Sequence, residues 1–129
     1  MNLTATLIAL FGPFIVWPFE LFIPHPYIVE ELFKFVLVKT IIKNTTDFSD
    51  GLKTAFVSGL LFTVSETVLY ILKINAYGDI SLLLIRFIST GALHIATFII
   101  IFVATKKKHY WILGILTAML LHYLYNLYI

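Results

Sequence analysis

The chain has 129 residues, of which 60% are apolar, 16% aromatic and 12% charged, with a formal net charge of +2 and no cysteine. Soluble domains carry about 25% charged residues; this composition, with a mean hydropathy of +0.99, makes lipid the solvent and excludes disorder, collagen and a disulfide scaffold. The length holds one domain, thiolate metal sites are ruled out, and the small net charge gives no reason to expect nucleic acid.

A helix crosses the hydrocarbon with about 20 mainly apolar residues, and five segments approach that description. The first, residues 3–21, is interrupted by Gly12, Pro13 and Pro18. Each proline removes a backbone hydrogen bond, which predicts a kinked helix or a re-entrant piece. It lacks a basic leader and a small-residue cleavage site, so it does not read as a signal peptide. After a turn through Pro24, His25 and Pro26 comes residues 27–42, short and charged, then a polar stretch over 44–51. The third segment is 52–74, the fourth 80–105 and the fifth 110–129, joined by residues 75–79 and by Lys106, Lys107 and Lys108. Connections this short join antiparallel neighbours. The expectation is an all-α, polytopic membrane bundle of about five transmembrane helices, a single domain over residues 1–129.

Lysine placement sets the orientation. Lys39, Lys43, Lys53 and Lys106 to Lys108 flank two connections on one side, and only Lys73 stands on the other. This puts the N-terminus inside and the C-terminus outside. Tyr27, Tyr70, Tyr77, Tyr123 and Tyr128 then mark one interface as belt anchors, with Tyr110 and Trp111 at the other.

The informative residues are those that lipid should exclude. Glu30, Glu31 and Lys34 sit in the second segment, Glu66 in the third, Arg86 and His94 in the fourth, His122 and Asn126 in the fifth. Five unpaired charges at about 2.5–3.5 kcal/mol each would exceed what a small bundle can bear, so they must face one another or a wet cavity. At about 100° per residue, Lys34 falls between Glu30 and Glu31 and reaches either. Gly59, Phe62 and Glu66 share a face, Arg86, Thr90, His94 and Thr97 form a stripe, and His122 and Asn126 are an i, i+4 pair. Polar stripes on four apolar cylinders predict one polar pocket within the membrane. Three carboxylates against one lysine and one arginine leave one negative charge in excess.

These residues form a pattern. The run from Glu30 to Lys34 resembles the EExxK motif of the PrsW-type glutamic intramembrane proteases, relatives of the CAAX-protease and bacteriocin-processing superfamily. Gly59 to Glu66 is similar to the family's GxxFxxxE, Arg86 with His94 and Thr97 to its R…HxxT, and His122 with Asn126 to its HxxxN. The motifs stand in the family's order and make 27–129 the expected catalytic core; Thr67 departs from the asparagine that often follows the family's second glutamate. The resemblance implies peptide-bond hydrolysis in or beside the membrane. Glu30 would be the base that activates water, Glu66 would position that water, and His122 and Asn126 would donate to the oxyanion. His94 would orient the water or protonate the leaving amine, with Glu31, Lys34, Arg86 and Thr97 holding these groups in place.

Other readings of the same residues stand beside this one. No cofactor is required, but Glu66, His94 and His122 offer three ligands to a zinc ion with a fourth position open. Intramembrane acids and imidazoles also build proton relays, which makes a proton- or ion-coupled transport element an alternative. A third is a non-catalytic relative that holds a partner helix. In every case the partners are the bilayer and a membrane-embedded or membrane-proximal peptide, with an oligomer left open.

Overall fold

The fold was analysed in a computed structural model, which describes residues 2–74 and 80–128. The connection 75–79, with Tyr77, and Ile129 lie outside them. Five helices follow one another: α1 (Leu3–Glu20), α2 (Pro26–Asn44), α3 (Phe48–Ile74), α4 (Ile80–Lys106) and α5 (Trp111–Tyr128). Among the described residues there is no strand. The protein is an all-α bundle, and α1, α3, α4 and α5 are each long and apolar enough to cross a membrane.

Local chemistry explains the boundaries. The Asn2 side chain caps α1 by accepting from the Ala5 N–H at 3.2 Å, and Pro26 opens α2, where its missing N–H costs nothing. The α3 helix starts earlier than its apolar run, because the Asp47 carboxylate accepts from the Asp50 N–H at 3.0 Å. The stretch expected as a loop is therefore partly a first helical turn. The helix α1 continues through Pro13 and Pro18 over 18 residues, about 27 Å at 1.5 Å per residue, so it spans rather than re-enters. The Ser65 hydroxyl donates to the Leu10 carbonyl in the turn that Pro13 disturbs.

Packing sets the charged helix in the middle. Among the described residues, α2 touches all four other helices, whereas α5 packs only on α4 and α2. Its Glu31 and Lys34 are fully buried, and Glu30 is 8% exposed. These three charges survive at the centre because their partners are protein rather than lipid, while Lys39 and Lys43, towards the end of the helix, are exposed. Between α3 and α4 the approach is close: a Cβ on Gly59 would stand 2.7 Å from the Ile95 Cα. Phe62, Phe98, Ile101 and Phe102 fill the core beside this crossing.

Candidate active site

Lys34 is the hub of the buried polar residues. Its ammonium donates to Glu31 Oε1 at 2.6 Å, to Thr97 Oγ1 at 3.0 Å and to His94 Nδ1 at 2.8 Å. These are all three of its protons. The sequence allowed Lys34 to pair with either glutamate; it pairs with Glu31. Because an ammonium has no lone pair, His94 Nδ1 must accept, and its proton sits on Nε2, which meets Glu66 Oε2 at 2.5 Å. Glu31 Oε1 also receives His122 Nδ1 at 2.7 Å. One lysine thus orients both imidazoles, one directly and one through Glu31, and the two rings stand edge to face with centroids 5.6 Å apart.

Glu66 is shared between two cations or donors, with Arg86 3.5 Å from its second oxygen. The Arg86 guanidinium lies 4.3 Å from the centre of the Tyr70 ring, which holds it against the protein. With Glu31 matched to Lys34 and Glu66 to Arg86, Glu30 is the carboxylate left over. Its Oε2 is buried and has no hydrogen-bond partner. Burying such an oxygen alone is costly; Glu31 Oε2 is in the same state, but Glu30 also lines a cavity and Glu31 does not.

Glu30 faces two ways. One ligand atom each from Glu30, His94 and His122 lie within 4.8 Å of one another. Glu30 also lines a cavity of about 100 Å³ between α1, α2, α3 and α4, walled further by Pro13, Glu20, Phe62, Glu66, Leu69, Tyr70 and Arg86. Liquid water occupies about 30 Å³ per molecule, so the cavity has room for roughly three. The imidazoles are not on its wall; Glu66, bonded to His94, and Glu30, near both rings, join the cavity to them.

The structure therefore joins Glu30, Glu31, Lys34, Glu66, Arg86, His94, Thr97 and His122 in one neighbourhood drawn from four helices. Asn126 is not part of it: it is exposed on α5 and has no hydrogen bond among the described residues. The three-donor group also differs from the expected set, with Glu30 in the place foreseen for Glu66. The reason is that Glu66 is already occupied by Arg86 and His94.

Sequence reasoning missed two tyrosines. Tyr27, read as a belt residue, lays its ring 6.1 Å from that of His122. The Tyr125 hydroxyl bridges Ser89 and Thr90 at 2.9 and 2.7 Å, tying α5 to α4 beside the site. A signal existed for Tyr125, which lies three residues from His122 and so on a neighbouring face. The helix α1 was left out of the expected core over 27–129, yet it gives Pro13 and Glu20 to the cavity wall.

No curated protein and no solved structure matches the chain. The family model described as PrsW family intramembrane metalloprotease matches residues 2–129, a span that includes α1 and every residue of the Lys34 network, and the chain belongs to that family of integral membrane proteases.

Proposed function

We propose that the protein hydrolyses a peptide bond within or next to the membrane, with Glu30 as the base that activates water. The observation that carries this reading is the unpartnered Glu30 oxygen, set beside two oriented imidazoles and opening on a cavity of water-holding size. Hydrolysis of an amide requires a base within hydrogen-bond reach of a water. With Nδ1 donating to Glu31, neutral His122 keeps a lone pair on Nε2, which orients the same water. Glu30 takes one proton from it, and the oxygen attacks the carbonyl carbon. The C–N bond breaks as Glu30 returns the proton to the departing amine. His94 is not that acid, because losing its Nε2 proton would leave an imidazolate; it donates a hydrogen bond and fixes Glu66. Arg86 holds Glu66 from the other side.

The family description implies a metal, and the residues present fit one. Glu30 offers an oxygen without a partner and His122 a lone pair on a ring whose other nitrogen is held by a carboxylate; His94 would join them as third donor by exchanging the Lys34 ammonium at Nδ1, its one nitrogen with a lone pair, for the ion, and glutamate with two histidines is a zinc donor set. Zinc held there supplies a water of lowered pKa and polarises the carbonyl. In that case Glu30 holds the ion and the remaining groups keep their orienting roles.

The test is cleavage of a model membrane peptide by the purified protein. Glu30→Gln should lower the rate by about 10²–10⁴, and His122→Ala should also cut it. Loss on chelation with recovery on zinc assigns the ion; cleavage untouched by chelator assigns Glu30 alone. Full activity in Glu30→Gln overturns the proposal, as does proton flux in liposomes with no cleavage.

A further inference from the structure

A second recess lies at the other end of the bundle, where α2, the end of α4 and the start of α5 meet. Its volume is about 250 Å³ and its walls are Phe35, Lys39, Thr105, Lys108 and Trp111. The floor is built: Phe35 and Trp111 stack with centroids 5.3 Å apart and planes 15° from parallel. Lys39 Nζ lies 5.4 Å from the centre of the Phe35 ring. Lys43 lines an adjoining recess that shares Phe35 and Lys39.

Two details show that this is more than lysines reaching for water. Thr105 Oγ1 is buried without a hydrogen-bond partner. Thr40, Thr45, Thr54, Thr63 and Thr67 return their hydroxyls to the carbonyl four residues back, a bond that Thr105 does not make, which leaves its donor unspent. Lys108, in the turn between α4 and α5, has φ 22, a conformation that non-glycine residues rarely adopt. The turn thus holds the backbone of Lys108, at the edge of the recess, in a conformation that costs energy. The first N–H groups of α5 emerge beside them with no intrahelical acceptor.

We propose that this recess binds the phosphate headgroup of an anionic phospholipid. The ammonium groups of Lys39 and Lys108 match its charge, the Thr105 hydroxyl donates to a phosphate oxygen, and the N-terminal dipole of α5 adds to both. A lipid rather than a soluble phosphate is favoured by what surrounds the recess. Trp111 belongs at the headgroup level, and Val36, Ile112 and Leu113 beside it are more than half exposed, an apolar flank on which acyl chains can lie.

Trp111 is its own reporter, since Trp17 is the other tryptophan and Trp17→Phe leaves it alone. The protein is placed in phosphatidylcholine vesicles containing an equal small share of either brominated phosphatidylglycerol or brominated phosphatidylcholine, and quenching of Trp111 is followed. The anionic lipid should associate about thirtyfold more strongly, as expected for two lysines at a headgroup. Lys39→Gln with Lys108→Gln should abolish the preference, and Thr105→Val should weaken it. Lys53→Gln with Lys107→Gln removes the same charge from the same side and should leave it intact. Equal quenching by both lipids overturns the proposal, and so does an equal loss in the two double variants, which would mean surface charge alone. Relief of quenching by millimolar inorganic phosphate would assign the recess to a soluble ligand and overturn the lipid.

Discussion

Lys34 decides what two histidines can do, although it touches no expected reacting atom. With all three protons committed, it leaves His94 protonated on Nε2 and, through Glu31, His122 with a bare Nε2. The two imidazoles are therefore not equivalent: one is a hydrogen-bond donor and the other an acceptor. In nitrogen-15 spectra of histidine-labelled protein carrying His25→Gln and His109→Gln, the two remaining rings should show one of each tautomer, and Lys34→Met should scramble the pattern. Because Lys34 and Glu31 are both fully buried, that variant also strands a carboxylate in the core, which should lower stability by about 3–5 kcal/mol. Lys34→Arg should fare little better, since a planar fork does not reproduce three divergent bonds. An unchanged histidine spectrum in Lys34→Met would remove the lysine from the mechanism.

At the scale of helices, the α3 and α4 crossing carries the site. Glu66 on one helix and His94 on the other meet only because Gly59 lets the backbones approach. A Cβ there would stand 2.7 Å from the Ile95 Cα and 3.0 Å from the His94 carbonyl oxygen, and backbone does not yield as a side chain does. Gly59→Ala should therefore destabilise the bundle by about 1–3 kcal/mol and sharply reduce cleavage, read by thermal unfolding in detergent and by peptide assay. Gly91→Ala is the contrast on the same interface. Its Cβ would meet the nearest atom, the Thr63 Cγ2, at 3.5 Å, an ordinary contact, so stability should hold or rise slightly. Both glycines stand in apolar helices and look alike in the sequence; the distances across the crossing separate them.

For the whole molecule, lysine asymmetry predicts an orientation with the 106–108 turn inside and the 21–25 turn outside. A chain without cysteine makes this easy to check. A membrane-impermeant maleimide on intact cells should label Phe22→Cys and should reach Lys107→Cys only after the cells are opened; the reverse pattern inverts the orientation. In that orientation Glu30, in the second turn of α2, and Arg86, in the second turn of α4, would lie nearer the outer end, beside the cavity that both line.

Composition and periodicity were enough to read five helices, because lipid forces each span to satisfy its own backbone and that demand writes long apolar runs into the chain. The polar stripes were legible for a related reason: charges too costly for lipid have to converge, so Glu30, Glu66, His94 and His122 could be named before any coordinate. Pairing could not be read. Whether Lys34 takes Glu30 or Glu31, and whether Glu30 or Glu66 joins the two histidines, depends on differences of an ångström or two between helices. Those are set by how α2 rotates against all four neighbours, and Asn126 falls outside the network although it shares a face with His122. A helix wheel reports direction around one axis; the distance between axes, which selects the partner, exists only once the bundle has packed.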